Sequence, residues 1–301
     1  MTKVALVKSG DRLAAAARAI DLLGENPARG KSVLVKPNYN SADPTPGSTH
    51  EDTLRALIAK LKEMGATDLL VADRSGMGDT RATLKKRGVF RLAEEMGFGV
   101  QVLDELGQEG WLHLDPPDSH WRRGYALPRL IEQYDTVVET CCLKTHRFGG
   151  HFTLSLKNSV GLAARTVPGE GYNYMTELHS SPHQRQMIAE INWGYKPTLV
   201  LLDGVEAFVD GGPDVGTRKR PEVTLAGTDR IAVDAVGVAI LRMLGTTPQV
   251  SEGRIFRQAQ IARAVELGLG VQSPAEIDIV TPDEASENLA AQVRSLLQAE
   301  G

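Results

Sequence analysis

The sequence predicts an α/β protein of two lobes, with mostly parallel sheets covered by helices and a cleft between the lobes. Three observations predict it. Short β-branched apolar runs alternate with segments of helical period along most of the chain. Several of those runs end in a charged residue followed by a loop rich in proline or glycine, as at Lys36, Asp73 and Asp203. A hydrophobic content of 42% over 301 residues is enough for a sizeable core.

The elements follow in order. Residues 4–7 read as a strand and 12–23 as an amphipathic helix. Residues 32–36 form a second strand. A helix over 51–64 repeats Leu54, Leu57, Ile58 and Leu61 at 3.6 spacing. A strand at 69–71, a single helix over 80–96 and a strand at 100–103 continue the alternation, which is the signature of a parallel sheet. Residues 107–124 hold two tryptophans and turn-forming residues, and read as an excursion between lobes. The sheet resumes at 136–141. Strands at 199–203 and 222–226, an apolar helix over 231–244, a strand at 277–280 and a surface helix over 285–297 complete the chain. The lobes divide near residue 135, giving 1–135 and 136–301.

Composition narrows the function. The net charge is only −4, so neither nucleic acid nor an anionic membrane surface is an expected partner. No apolar window approaches 18 residues, and the start lacks a signal-peptide pattern, so a cytoplasmic setting is expected. Cys141 and Cys142 are adjacent. Neighbouring strand residues face opposite ways, which disfavours a disulfide. Two cysteines also cannot supply the four thiolates of an ordinary iron–sulfur cluster. Oligomerisation is left open.

The most chemical stretch is 140–161, which gathers Lys144, His146, Arg147, His151, Lys157 and Asn158 just after a buried strand. A strand opening into a loop of cations and glycines suits an anion at the carboxyl edge of an open sheet. His146 and Lys144 suit carboxylate binding and proton shuttling near neutral pH. Lys157 follows the apolar Leu154–Leu156 setting, and burial there would make its amine basic or nucleophilic, unless it snorkels or pairs with an acid. His146 and His151 are also candidate metal ligands, though without a third partner.

Other segments add to this. In residues 36–50, Lys36 ends a strand and Asn38, Ser48 and Thr49 lead into the next helix, with Ser48 or Thr49 as its N-cap. Asp73, Arg74 and Ser75 leave a strand among glycines and suit a ligand loop or a helix cap equally. Residues 203–220 wrap a ligand or simply form a hairpin, with Glu206 and Asp210 as oxygen donors for a cation. Asp229 or Thr228 caps a helix inside which Asp234 needs a partner if buried, either a ligand or simply a nearby backbone amide or lysine.

Four segments, VLVKPN, GSTHEDTLRALI, CLKTHRFGGHFTLSLKN and AGTDRIAVDAV, fall in the order found in domain-of-unknown-function family 362, which the chain resembles over nearly its whole length. That family is loosely described as iron–sulfur-centre proteins, because many members carry an extra ferredoxin domain. This chain has no such cysteine clusters. A fainter likeness is to the nickel-pincer lactate racemase family. That likeness would place His146 near a catalytic histidine and Lys157 near a cofactor-tethering lysine.

Together these readings predict an enzyme acting on a small anionic metabolite, carboxylate or phosphate, as in isomerisation or racemisation. His146, Lys157 and Lys144 are the expected catalytic groups. Lys36, Asn38, Ser48, Thr49, Arg74, Arg147 and Asn158 are the expected substrate contacts. A metal-associated or redox accessory protein, or a non-catalytic anion-binding module, are the alternatives.

Overall fold

The computed structural model describes residues 1–301. Twelve strands form: β1 (Thr2–Lys8), β2 (Ser32–Lys36), β3 (Asp68–Asp73), β4 (Gly99–Val102), β5 (Trp111–Leu114), β6 (Tyr125–Pro128), β7 (Thr136–His146), β8 (His151–Thr153), β9 (Pro197–Gly211), β10 (Gly216–Lys219), β11 (Val223–Gly227) and β12 (Ile277–Val280). Ten of them build one sheet, ordered β12-β1-β11-β9-β7-β2-β3-β4, with β10 on β9 and β8 on β7. Along that path only β11 runs against its neighbours. β5 and β6 make a separate hairpin. The sheet runs unbroken across residue 135, where β7 lies beside β2.

The pleat sorts side chains to two faces. On β1, Val4 and Leu6 join the core around the Arg230–Met243 helix, while Ala5 and Val7 join the core around the Arg12–Leu23 and Glu51–Glu63 helices. A third core gathers Trp111, Trp121, Tyr125 and Tyr174. Helices therefore cover the sheet on both faces, as its continuous apolar strands require.

Capping sets the helix ends. Asp11 accepts from Ala14 N at 3.1 Å, and Gly24 closes that helix in the left-handed region at φ 71°. The Glu51–Glu63 helix corrects the expected N-cap: neither Ser48 nor Thr49 caps it. His50 Nδ1 accepts from Asp52 N at 3.1 Å, because Thr49 Oγ1 accepts from Asn38 N and Ser48 Oγ donates to Ser41 O. The single helix expected over 80–96 is two, Thr80–Lys86 and Val89–Met96, broken where Gly88 takes φ 74°. Residues 203–220 form the β9–β10 hairpin, and Glu206 pairs with Arg12 at 3.3 Å.

β2 lies where the strand order reverses, between β3, its successor in the chain, and the later β7. The parallel register sets the ends of β2 and β3 side by side, with Lys36 level with Glu139 of β7, which runs on to His146. An open α/β sheet leaves its crevice at such carboxyl ends.

Candidate functional site at the carboxyl ends of β2, β3 and β7

A cavity of about 270 Å³ opens at this edge. Its walls include Lys36, Asp73, Arg74, Lys144, His146, Lys157, Arg165 and His179. Five are Lys or Arg, and only one is a carboxylate.

Lys36 is buried at the end of β2. Its Nζ lies 2.8 Å from Asp73 Oδ1, donates to Asn158 Oδ1 at 3.2 Å and also donates to Pro37 O. Asp73 in turn accepts from Tyr39 N at 2.7 Å and Arg74 N at 2.8 Å. Burial pushes the Asp73 carboxyl up, against the opposing pull of Lys36 and of these donors. Gly161 backs directly onto the pair: a Cβ there would sit 2.6 Å from Asp73 Oδ1 and 2.7 Å from Lys36 Nζ.

The strand carrying Lys144 and His146 is longer than its apolar run. Expectation placed these residues on a loop after 141, but β7 continues to His146. Lys144 pairs with Phe208 of β9, and Thr145 and His146 pair with Phe152 and His151 of β8. Two residues apart, Lys144 and His146 fall on one side of the strand. Lys144 Nζ donates to Asn38 Oδ1 at 2.8 Å, Gly47 O at 2.6 Å and Pro213 O at 3.5 Å, and meets no carboxylate. Burial lowers its pKa. His146 is buried, and its Nδ1 has no hydrogen-bond partner. Burial, and then the charges of Lys157 and Lys144, hold its pKa well below the usual value, so the ring is neutral.

Lys157 rides on a single helical turn, Ser155–Asn158. Asp234, inside the apolar Arg230–Met243 helix, accepts from Ser155 N at 2.7 Å and Leu156 N at 3.0 Å. Of the partners open to Asp234, the structure supplies backbone amides, those at the start of this turn. Burial raises the Asp234 carboxyl to about 8 despite those two donors. Ser155 Oγ donates to the buried Glu139 at 2.8 Å, which fixes the turn from a second side.

The Lys157 amine makes no hydrogen bond and no ion pair. Burial, followed by the charges of Lys144 and Arg74, brings its pKa down to about 7. Its stem lies against Gly150, where a Cβ would sit 2.5 Å from Lys157 Cε and 3.0 Å from His146 Nδ1. Gly150 thus backs onto both the Lys157 stem and the His146 ring.

The remaining expected site residues divide. Asn38 and Asn158 line the cavity and hydrogen bond to each other at 3.2 Å. Arg74 lines it too, but its guanidinium donates to Ala163 O, Val160 O and Ser75 O. Ser48 and Thr49 sit behind the wall, engaged with the β2 loop. Arg147 lies outside, paired with Asp214 at 2.7 Å and stacked on Phe148. His151 is half-buried at φ 64° and does not line the cavity.

Two wall residues were not anticipated from sequence, Arg165 and His179. Arg165 uses one donor, Nη2 to Ser75 O at 2.8 Å, and has no carboxylate partner. His179 Nδ1 meets Met175 O at 2.7 Å, so that nitrogen carries the hydrogen and Nε2 is the acceptor. Both lie in a stretch of mixed polar residues with no periodicity to mark them.

Neither metal reading fits the donors present. Cys141 and Cys142 are free and buried, and burial pushes both thiols up. Nowhere do three His, Cys, Asp or Glu side chains come together in an arrangement that could hold a metal ion. A larger hollow of about 740 Å³, between β12 and the Glu284–Glu300 helix, is walled by residues such as Phe256, Val265, Ile277 and Leu297, and contains no lysine or histidine. No helix is long and apolar enough to cross a membrane.

The chain is similar to the thylakoid-associated protein sll1697 of Synechocystis sp., at 29% identity over 225 residues. The match covers 71% of this chain and 64% of that protein, so the chain spans less than two thirds of that relative's length. Among solved structures, the lactate racemase apoprotein of Thermoanaerobacterium thermosaccharolyticum superposes with a TM-score of 0.44 at 16% identity, over 67% of this chain and 50% of that one. The sequence profile described as "Domain of unknown function (DUF362)" matches residues 33–239, a span that holds every cavity cation named above, and the chain belongs to that family.

Proposed function

We propose that this protein is an enzyme acting on a small anionic metabolite, a carboxylate or phosphate, by Lys/His acid–base chemistry of the isomerase or racemase kind. The observation that carries this reading is the wall of one cavity: five Lys or Arg side chains to one carboxylate, around an amine with no partner. Such a surplus of buried positive charge is costly unless an anion compensates it.

The cations divide the work. Lys36 and Lys144 have their ammonium protons engaged, and contribute charge. Arg165 keeps most of its five donors free and can grip an anion in the planar fork that suits carboxylate and phosphate. Lys157, near half-protonated at neutral pH, serves as the base. Neutral His146, with Nδ1 unpartnered, is the second proton carrier. A lysine amine poised near the working pH and a neutral imidazole in one cavity suit proton transfer beside a carbonyl. The two free thiols suit a reducing compartment such as the cytoplasm.

The test is proton exchange in heavy water. The protein is incubated with small 2-hydroxy and 2-oxo carboxylates in D2O, and deuterium next to the carboxyl carbon is followed by NMR. Incorporation with wild type, reduced about 10²-fold or more in Lys157→Met and in His146→Asn, is expected. Equal exchange in all three proteins would sink the assignment.

A further inference from the structure

We infer that the substrate of this cavity carries a carbonyl beside its acid group, a small 2-oxo acid, and that Lys157 takes it up covalently as a Schiff base. This rests on the anion reading above, gives the Lys157 amine a covalent role in place of that of base, and leaves His146 to move the proton.

The geometric case is a contrast among buried cations. Lys36 spends its donors on Asp73, Pro37 and Asn158. Lys144 spends its donors on Asn38, Gly47 and Pro213. Lys157 is similarly enclosed, at 9% exposure, yet it meets no acceptor at all. A site built for an ammonium ion supplies acceptors; this one supplies none, which is the environment of a neutral, nucleophilic amine. The depressed basicity of Lys157 agrees with the geometry.

Three further features fit. Gly150 lies hard against the Lys157 stem, which confines it and leaves Nζ as the reactive end. His146 Nδ1, with no partner of its own, lies against the same face of Gly150. Arg165 offers free donors for the carboxylate. The volume, about 270 Å³, falls below the roughly 300–1,000 Å³ of pockets for drug-sized ligands.

The chemistry balances without an oxidant or reductant. The Lys157 lone pair forms a bond to the carbonyl carbon as the C=O π pair moves to oxygen, which takes up a proton from solvent. An N–H proton passes to His146 Nδ1. The carbinolamine C–O bond then breaks, the hydroxyl leaves as water with the proton returned from His146, and the nitrogen lone pair closes the C=N bond. The resulting iminium draws electrons from the adjacent carbon and so eases loss of its proton.

The experiment uses the full chain with pyruvate, and separately with 2-oxoglutarate, in the presence of sodium cyanoborohydride at neutral pH. Intact mass and peptide mapping locate any reduced adduct, and NMR line broadening of the ligand reports binding. One adduct on Lys157, formed at least about 10²-fold faster than on surface lysines, is expected. It should be absent from Lys157→Arg and Lys157→Met, and slowed in His146→Asn. Binding without an adduct on Lys157 overturns the covalent step alone. Neither binding nor trapping with either acid overturns it together with the anion reading.

Discussion

Lys36 and Lys144 are buried with their ammonium donors engaged, whereas Lys157 is buried with none of its donors engaged. Lys36 and Asp73 form an ion pair whose space depends on Gly161 having no side chain. Gly161→Ala should push the pair apart and cost about 1–3 kcal/mol, read by urea denaturation. Asp73→Asn, which leaves Lys36 without its counter-charge, should cost about 3–5 kcal/mol. A Gly161→Ala protein as stable as wild type would show that the pair can shift without penalty.

Lys157 behaves in the opposite way. Its folded pKa, about 7, lies below the ordinary 10.5. Between those values the unfolded chain holds a proton that the folded chain has released, so wild type gains stability as pH rises across that window. Below pH 7 the full cost of the buried charge is present, on the order of a few kcal/mol. Lys157→Met should therefore be more stable than wild type at pH 6 to 7, with the difference shrinking towards pH 10. Denaturation midpoints that keep a constant gap between the two proteins would contradict this. A stability gain on removing a group needed for activity is the expected trade at a functional site.

At the scale of elements, the site depends on parts far apart in the chain. Lys157 is placed by a one-turn helix that Asp234 caps from the Arg230–Met243 helix and Glu139 steadies through Ser155. Asp234→Ala should cost about 1–2 kcal/mol as a lost cap and should lower proton-exchange activity more than tenfold, since the amine loses its mounting. Unchanged exchange in that variant would show that Asp234 is structural alone. The same arrangement marks the limit of sequence reading. The Arg12–Leu23 and Glu51–Glu63 helices were legible because their apolar residues repeat at helical spacing, and β2, β3 and β12 because they are short β-branched runs. The end of β7 was not, because Lys-Thr-His is polar and is held in the ladder by β8 and β9, partners that sequence spacing does not reveal. The break at Gly88 was hidden for a similar reason, since one glycine within a helical pattern is usually tolerated.

Across the whole molecule, a chain of net charge −4 concentrates positive charge in one crevice. Lys36, Asn38, Lys144, His146, Lys157 and Asn158 were each legible as chemistry, because they are polar groups at or beyond the ends of strand-like apolar runs. What brings them together is the parallel register of β2, β3 and β7, and only that register makes Asp73 the partner of Lys36. Arg165 and His179 stayed hidden because nothing local distinguishes them, and Arg147 was expected inside although the β9–β10 hairpin holds it outside. Centrally, this fold keeps one lysine amine free of partners and easily deprotonated in a cationic pocket. The most direct measurement is the pH dependence of Lys157 acetylation by trace acetic anhydride, followed by peptide mass spectrometry, with and without a small carboxylate. Half-maximal reactivity near pH 7, with protection by the carboxylate, is predicted. Reactivity that rises only near 10.5, with no protection, would contradict the account.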